Sequence, residues 1–451
     1  MLPCLLLVCL LSSFAPLPGS ERFCFRVYLN DKGRSAYSPD HPEAFLSQAA
    51  IERRRKEGIA VNTSDLPIAR SCLDTLSLLG ARPVVSSKWF ATVVVECTDS
   101  TIAERLRSLP IVDSVKWVWK GQRQPPADRE TRDTSRLAPT DLPQKTPYGY
   151  AETQIDMLNG IRLHKKGYRG KGMSIAVIDA GFMNADRMTV FDSLHLAGVY
   201  NVVSPGESVF NQDDHGTKVL SCLAANAAGV MIGTAPEASY WLIKSEDDLS
   251  EYPIEEDYWT AAVEFADSVG VKVISSSLGY FSFDNDELSY QQSMLDGRTA
   301  LISRAAEKAA SKGILLFISA GNEGNGSWEK LTFPSDARQV LSVGSVTENK
   351  EKSVFSSSGF TADARVKPDI VALGTNCTVI DGSGSIRYAN GTSFSTPIVA
   401  GLGICLWQAL PQLSNLEIID RIQRSSSQYE RPDTLTGYGI PNFYKAWKQK
   451  Q

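Results

Sequence analysis

From residue 150 onward, the chain alternates between short, continuous apolar runs and longer runs with helical periodicity. The strand-like runs are SIAVID (174–179), ASYWLIK (238–244), VKVISSSL (271–278), ILLFIS (314–319) and VLSVGSV (340–346). The helical runs between them include KVLSCLAAN (218–226), EEDYWTAAVEFADSVG (255–270) and RTALISRAAEKAASKG (298–313). Strands that are apolar throughout are typically buried on both faces. The pattern therefore predicts an α/β domain with a mainly parallel sheet flanked by helices.

Residues 21–120 show a different pattern, which predicts a small α+β domain. The strand-like runs are RFCFRVYL (22–29), KWFATVVVEC (88–97) and SVKWVWKG (114–121). The helical runs are PEAFLSQAAIERRRKEG (42–58), with Pro42 at its start, and TIAERLRSL (101–109). Within the first helical run, the charged segment 52–57 (ERRRKE) is interpreted as a solvated helix face.

Two further segments complete the predicted domain organisation. The apolar run within residues 1–20 is too short to span a membrane comfortably, and small residues and prolines follow it, which is typical of a signal peptide. Residues 121–149 are polar, rich in proline and nearly devoid of aliphatic side chains, so we interpret them as an exposed linker. The α/β domain is then 150–451, in a protein exported to the periplasm or secreted.

Charge and hydropathy exclude several classes of partner. The 451 residues carry a formal net charge of −5, which gives no electrostatic basis for binding nucleic acid or an anionic membrane. After residue 20, no apolar run is long enough for a membrane helix. We therefore expect no nucleic-acid partner and no membrane span.

Four stretches of the α/β domain carry the residue types of a nucleophilic site. Asp179 ends an apolar strand, His215 precedes a helical run, and Asn322 lies on a glycine-rich loop. Ser393 follows a Gly-Thr pair at the start of an apolar helix. A hydroxyl nucleophile needs a base, the base needs an orienting carboxylate, and the oxyanion needs preorganised donors. Taken singly, each residue has a structural alternative, such as a helix N-cap for Ser393.

These stretches resemble, in type and order, the motifs D-x-G, H-G-T-x-V, S-A-G-N-x-G and G-T-S-x-x-x-P of the subtilisin-like (S8) serine proteases. They are DAG (179–181), HGTKV (215–219), SAGNEG (319–324) and GTSFSTP (391–397). The resemblance covers about residues 150–448 and implies a subtilisin-like fold. It also implies that Ser393 is the nucleophile, that His215 is the general base and that Asp179 orients it. Asn322 would be an oxyanion donor, and the α+β domain would be an inhibitory propeptide.

The same resemblance implies residues that hold a polypeptide substrate. The predicted substrate-binding residues are Ser277, Leu278, Gly279, Ser319, Ala320, Gly321 and Glu323. The first three would pair with an extended peptide as an added strand, and the next three would form a wall of the pocket for the residue before the scissile bond. Glu323 either faces that pocket and favours a basic side chain, or is a solvated loop carboxylate.

We expect that the chemistry requires no cofactor or metal, and a structural calcium ion stays open. The acidic segment 246–257 (EDDLSEYPIEED) lacks the ligand spacing of an EF-hand and is interpreted as a solvated helix start. Six cysteines remain after the predicted signal peptide. The resemblance places Cys222 and Cys405 on neighbouring helices, either as a buried disulfide or as free thiols. The polar surroundings of His164 and His195 indicate solvated histidines.

The sequence thus predicts a serine endopeptidase that hydrolyses polypeptides through an acyl-enzyme, with its own propeptide as intramolecular inhibitor and chaperone. A subtilisin-like peptide ligase or cyclase is an alternative, since it resolves the same acyl-enzyme with an amine instead of water. A catalytically inactive peptide-binding protein is a second alternative, which the intact set of four residues opposes.

Overall fold

The computed structural model describes residues 21–122 and 134–449. The predicted signal peptide (1–20) and residues 123–133 of the predicted linker lie outside the described residues. An antiparallel sheet within residues 22–121 and a parallel sheet within residues 174–373 organise the chain, and we call the two parts the N-terminal and C-terminal domains. Among the described residues, no helix has both the length and the apolar character needed to cross a membrane.

The N-terminal domain combines a four-stranded antiparallel sheet with three helices. Its strands are β1 (Arg22–Leu29), β2 (Arg82–Ser87), β3 (Thr92–Cys97) and β4 (Val112–Gly121), in the order β2-β3-β1-β4. Its helices are α1 (Gln48–Lys56), α2 (Arg70–Leu78) and α3 (Ile102–Arg107). One face of the sheet, which includes Phe25 and Val93, packs with α2 and α3 in a core of its own.

The predicted α+β character of this domain is confirmed, with three differences in detail. The sequence pattern does not predict α2 or β2. The first helix begins at Gln48 instead of Pro42, because Ser47 caps it by accepting a hydrogen bond from the backbone N–H of Ala50 at 3.2 Å. The interpretation of the charged segment 52–57 as a solvated face is wrong, since Arg53 and Arg54 are buried.

The C-terminal domain alternates strands and helices. Its described strands are β5 (Ser174–Asp179), β6 (His195–Asn201), β7 (Asn226–Ala227), β8 (Met231–Ile232), β9 (Ser239–Lys244), β10 (Val273–Ser276), β11 (Leu315–Ser319), β12 (Leu341–Val346), β13 (Gly359–Phe360), β14 (Val366–Lys367), β15 (Ile370–Leu373), β16 (Cys377–Ile380) and β17 (Ile386–Ala389). Its described α-helices are α4 (Glu152–Asp156), α5 (Gly160–His164), α6 (His215–Ala224), α7 (Ile254–Val269), α8 (Leu301–Ala310), α9 (Thr392–Ala409), α10 (Asn415–Ser425) and α11 (Phe443–Lys448).

Seven strands form one sheet in the order β15-β12-β11-β10-β5-β9-β6, and every pairing in it is parallel. The five strands expected from the apolar runs are β5, β9, β10, β11 and β12, so the predicted fold class is confirmed. In this register Ser276, at the end of β10, pairs with Ile178 on one side and with Ile318 on the other. The loops that follow β5, β10 and β11 therefore meet at one edge of the sheet.

Both faces of the parallel sheet are covered, because successive side chains along each strand point to opposite faces. Ile175 and Val177 of β5 belong to the core beneath α6 and α9, whereas Ala176 and Ile178 belong to the core beneath α7 and α8. Helix α9 is buried from its first residue to Trp407 and contacts α6, β10, β11, β12 and β15. This central helix begins at the edge where the strand loops meet.

The N-terminal domain packs on helix α7 of the C-terminal domain. The core around α7 and α8 continues into the N-terminal sheet through Val94, Val118 and Trp119. Arg26 of β1 donates two hydrogen bonds to the Asp257 carboxylate of α7, at 2.7 and 2.6 Å. Apolar burial and a buried ion pair thus join the two domains.

Two further residues of α7, Asp267 and Glu264, also contact the N-terminal domain. Arg53 and Arg54 of α1 both donate to the Asp267 carboxylate. The Glu264 carboxylate accepts hydrogen bonds from the backbone N–H groups of residues 88 and 89, at 2.9 and 3.0 Å, and from the Ser87 hydroxyl. Helix α7 therefore presents carboxylates that the N-terminal domain pairs or satisfies.

Two sequence interpretations change with the fold. His164 is buried, where its ring nitrogens contact the Tyr148 hydroxyl at 3.0 Å and the Thr234 carbonyl at 2.9 Å, and burial lowers its pKa to about 4. It is therefore not solvated, whereas His195 is exposed as expected. The described end of the predicted linker, residues 134–149, lies partly against the C-terminal domain, since the backbones of Leu137 and Thr189 are hydrogen-bonded and Tyr148 is buried.

Candidate active site

Asp179 is the last residue of β5 and lies at the edge of the sheet where the strand loops meet. Its side chain is fully buried. The Oδ1 atom accepts a hydrogen bond from the backbone N–H of Ala180 at 2.9 Å and lies 2.6 Å from Nδ1 of His215. A buried carboxylate is stable only when it is hydrogen-bonded or paired, so this contact fixes both side chains.

His215 is the first residue of α6, and its backbone N–H donates to Oδ1 of Asp213 at 2.6 Å. Its ring lies 5.9 Å, centroid to centroid, from the ring of Phe394, the residue after Ser393. Burial lowers the pKa of His215, but the Asp179 carboxylate outweighs burial and raises the pKa above its ordinary value. Because Nδ1 faces Asp179, Nε2 is the ring nitrogen left for other partners.

Ser393 lies in the first turn of α9, after Gly391. Gly391 adopts φ 157° and ψ 147°, a region that essentially only glycine reaches, so the close turn before the serine requires this residue. The Ser393 hydroxyl donates to the Ser277 carbonyl at 3.4 Å, and the Ser277 hydroxyl donates to the Ser393 carbonyl at 2.8 Å. Within the described residues, the Ser393 hydroxyl thus points to the end of β10 and not to His215.

Asn322 is exposed on the loop after β11, and Thr392 determines its orientation. The Asn322 side-chain oxygen accepts hydrogen bonds from the Thr392 backbone N–H at 2.9 Å and from the Thr392 hydroxyl at 3.0 Å. Thr392 also accepts a hydrogen bond from the Gly321 N–H at 3.3 Å. Because these hydrogen bonds hold the side-chain oxygen on Thr392, the amide NH₂ of Asn322 points away from Thr392 and can serve as a donor. The sequence motifs do not predict that Thr392 orients Asn322.

The structure separates the predicted substrate-binding residues into two groups. Ser277, Leu278 and Gly279 follow β10 and line a cleft of about 640 Å³ together with His215. Residues 319–323 do not line this cleft; Ser319, Ala320 and Gly321 are buried, and the Ala320 N–H donates to the Val343 carbonyl. The Glu323 carboxylate lies beside Gly326 of its own loop. The substrate roles of both groups stay predictions.

The cleft beside His215 is strongly acidic. The carboxylates that line it are Asp213, Glu246, Asp247, Asp248, Glu251, Glu255 and Asp284. The interpretation of segment 246–257 as a solvated helix start is therefore wrong. Its first half lines the cleft, and Glu255, Glu256 and Asp257, in the first turn of α7, are buried. The sequence shows the density of acidic residues, but not that the fold turns them inward.

The described residues contain no group of three or more His, Cys, Asp or Glu side chains arranged to hold a metal ion. All six described cysteines are buried, and none of them forms a disulfide. Burial raises the pKa of the Cys377 thiol, as does its neighbour Cys222, while the Cys405 thiol donates to the Thr234 carbonyl at 3.3 Å. The thiol next to Cys222 is therefore that of Cys377. Of the two alternatives predicted for Cys222 and Cys405, a disulfide or free thiols, the structure has free thiols.

Comparison with known proteins places this arrangement in a family. The Peptidase S8 model of the subtilase family matches residues 170–439, and the model of the peptidase S8 propeptide domain of Bacteroidota matches residues 24–136. Subtilisin E of Bacillus subtilis (strain 168) is 30% identical over 308 residues, which are 67% of this chain and 71% of subtilisin E. The subtilisin of Bacillus pumilus is 30% identical over 308 residues, with 67% of this chain and 99% of that protein covered.

The crystal structure of MycP1 with the N-terminal propeptide removed has a similar fold, with a TM-score of 0.53 and 21% identity. The match covers 66% of this chain and 97% of that one. Together with the family models, the parallel sheet defines a serine-type endopeptidase that carries an N-terminal propeptide domain. The chain belongs to the subtilase family, peptidase S8.

Proposed function

We propose that Asp179, His215 and Ser393 form a catalytic triad that hydrolyses peptide bonds through an acyl-enzyme. The observation that carries this proposal is the 2.6 Å contact between His215 Nδ1 and a fully buried carboxylate, at the edge where the helix of Ser393 begins. A carboxylate at Nδ1 selects the tautomer whose proton lies on Nδ1 and whose lone pair lies on Nε2. That tautomer is the one that a general base requires.

In this mechanism the Ser393 oxygen attacks the scissile carbonyl while Nε2 of His215 takes the hydroxyl proton. The hydroxyl first leaves the Ser277 carbonyl, and a 3.4 Å hydrogen bond is weak enough to exchange readily. His215 then donates the proton to the leaving amine, and the acyl-enzyme reacts with a water that His215 activates in the same way. Asp179 stabilises the imidazolium that forms in each step, in accord with the raised pKa of His215.

The oxyanion of the tetrahedral intermediate would accept hydrogen bonds from the Asn322 amide and the Ser393 backbone N–H. The two hydrogen bonds that hold the Asn322 oxygen on Thr392 support this assignment, because a preorganised donor needs no reorientation during the reaction. The N-terminal end of the 18-residue helix α9 adds a favourable potential for negative charge.

The propeptide domain, residues 21–120, would serve as intramolecular inhibitor and folding chaperone, with a cut in the linker 121–149 during maturation. Its docking on α7 supports this role. So does the indole N–H of Trp119, which donates at 3.0 Å to the hydroxyl of Ser250, a residue that lines the cleft beside His215. Residues 1–20 would direct export to the periplasm or the medium, so that maturation takes place outside the cytoplasm.

The test of this function is the time course of an activated ester with the processed enzyme. We expect a burst of leaving group that matches the enzyme concentration, followed by slower turnover, and a mass adduct on Ser393 after acid quenching. Ser395→Ala is the matched control on the same helix and should keep the burst. Peptide hydrolysis that survives in Ser393→Ala would overturn the proposal, and products formed with an added amine would reveal a peptide ligase.

A further inference from the structure

The proposed chemistry gives no role to the acidic side chains of residues 246–255 and 284 in the cleft beside His215. The volume of this cleft is about 640 Å³, and the cleft borders residues 277–279, the strand proposed to pair with substrate. No Lys or Arg is present among the described residues that line it. Lys244 pairs with Asp248 at 3.2 Å and also donates to the Ala180 carbonyl. Among the described residues, no ion pair involves the other six carboxylates that line the cleft.

Glu255 indicates that the cleft is a binding site. Its side chain is 1% exposed, and one carboxylate oxygen accepts a hydrogen bond from the Asp247 N–H at 3.0 Å. The other oxygen, Oε2, has no hydrogen-bond partner among the described residues, although Glu255 lines the cleft. An unpaired carboxylate oxygen at this depth costs free energy, which a cationic ligand would offset.

Neighbouring carboxylates add to this cost. Burial raises the pKa of Glu246 to about 8 and that of Glu251 to about 7, and it also raises the pKa of Glu255. Each is raised further by nearby carboxylates, Asp284 in the case of Glu251. The Tyr280 hydroxyl donates to Glu246 but brings no positive charge. A cation between these groups would favour their ionised forms and lower these pKa values.

The spacing of the carboxylates favours a long basic side chain over a metal ion. Seven carboxylates line the cleft, and yet the described residues contain no group of them arranged to hold a metal ion. An arginine or lysine side chain has an apolar stem and a terminal group with several donors, which suits carboxylates at the end of a cleft. The exposed carboxylate of Asp284 and the half-buried one of Glu251 also line the cleft and are open to such a group.

The propeptide domain indicates which side of the scissile bond this cleft serves. Trp119, near the end of β4, contacts Ser250 at the cleft, and the chain runs from β4 toward the linker in which the proposed cut lies. Trp119, the residue that contacts the cleft, thus lies N-terminal to the proposed cut. The cleft therefore lies on the side that holds residues N-terminal to the scissile bond.

We infer that the cleft formed by Glu246, Glu251, Glu255 and Asp284 binds an arginine or lysine side chain of the substrate, at a position N-terminal to the scissile bond. The inference rests on the proposed function and adds its substrate class: polypeptides with a basic residue shortly before the cleaved bond. The four carboxylates are specificity residues, outside the reacting groups.

The test uses pairs of quenched peptides that differ only in arginine or citrulline, its neutral isostere, at successive positions before the cleaved bond. With the processed enzyme, we expect kcat/KM for arginine to exceed that for citrulline by about 10-fold or more at one position at least. Glu255→Gln keeps the shape of the side chain and should reduce this ratio at least about threefold. Asp286→Asn changes an exposed carboxylate outside the cleft and should leave the ratio unchanged.

The ratio separates this inference from the proposed function. Equal rates for arginine and citrulline at every position, or a preference that persists in both Glu255→Gln and Glu246→Gln, would overturn the inference and leave the triad intact. Failure to cleave any peptide, together with no acylation of Ser393, would overturn the function itself. An arginine preference that calcium abolishes would assign the cleft to the metal instead. If Glu255→Gln does not fold, Glu251→Gln and Asp284→Asn supply the same comparison.

Discussion

The contact between Asp179 and His215 determines when the proposed base can act. Asp179 is fully buried at the end of β5, and its Oδ1 atom lies 2.6 Å from Nδ1 of His215. The carboxylate favours the protonated imidazole, so it stabilises the state that forms after Ser393 loses its proton. The same interaction sets the lower pH limit of activity.

We predict that kcat/KM falls as the pH decreases through the pKa of His215, because an imidazolium cannot accept a proton. Although burial lowers this pKa, Asp179 raises it above 6.5, so the acid limb should lie above that pH. In Asp179→Asn the limb should move to lower pH, and kcat at neutral pH should fall about 10⁴-fold because the tautomer is no longer fixed. A pH–rate profile measures both the position of the acid limb and the fall in kcat. The control is Asp156→Asn, which changes an exposed carboxylate. An unmoved acid limb would contradict this account.

Thr392 offers a second test at single-residue scale. Thr392→Val keeps the shape of the side chain but removes the hydroxyl that holds Asn322 and Gly321. We expect kcat to fall about 10-fold with KM nearly unchanged, since the donor acts on the transition state. In Asn322→Ala, kcat should fall further, by about 10²–10³-fold, which is the loss known for a single oxyanion donor in subtilisins.

A double-mutant cycle gives the control for this prediction. If Thr392 acts through Asn322, Thr392→Val should cost little further activity in the Asn322→Ala background. Fully additive losses would show that Thr392 acts elsewhere. Motifs could identify Asn322 because its residue type carries the chemistry. They could not identify Thr392 as its support, because that role arises from a contact between residues 70 positions apart in sequence.

At the scale of elements, apolar periodicity predicts the strands that are buried on both faces and misses those that are not. Strands β5, β11 and β12 are almost entirely buried, and their sequences are continuous apolar runs. Strand β6 lies at the sheet edge with mostly exposed side chains, so HLAGVYN shows no such run. The ion pairs of Arg26 with Asp257 and of Arg53 with Asp267 also escaped prediction, because each joins residues more than 200 positions apart.

The ion pair between Arg26 and Asp257 gives a test at this scale. In the uncleaved Ser393→Ala precursor, Asp257→Asn should lower the free energy of unfolding by about 3 kcal/mol, because it removes the carboxylate that accepts two hydrogen bonds from the buried Arg26 guanidinium and leaves it only the more distant Glu256, at 3.6 Å. Urea unfolding measures the change. In the processed enzyme Arg26 is gone and the loss should nearly disappear. Equal losses in both forms would mean that Asp257 acts within the C-terminal domain alone.

For the whole molecule, the propeptide domain and the peptidase domain share a core and a set of buried ion pairs on α7. The sequence motifs predicted the site residues, and the pattern of apolar runs predicted two domains. Neither showed that the propeptide domain and helix α7 have matching surfaces. The acidic cleft is likewise a property of the assembled chain, because segment 246–255 and Asp284 meet only in the fold. The sequence shows how many acidic residues this segment has, but not that they line one cleft.

Maturation is the prediction that belongs to this scale. If Ser393 cuts the linker of its own chain, Ser393→Ala should accumulate as the full precursor, because the variant lacks the proposed nucleophile. Electrophoresis and N-terminal sequencing of the purified protein reveal the processed fraction, and Ser395→Ala is the matched control. Normal processing of Ser393→Ala in a host that lacks other active copies would assign the cut to an external protease.

The most direct test of the central claim is to label the processed enzyme with a fluorophosphonate probe and map the modified residue by mass spectrometry. The probe reacts with an activated serine and not with ordinary hydroxyls, so it reports the nucleophile without a known substrate. We predict labelling at Ser393 that is lost in His215→Ala and strongly slowed in Asp179→Asn. Absence of labelling after removal of the propeptide domain, or labelling that persists in His215→Ala, would contradict the proposed triad.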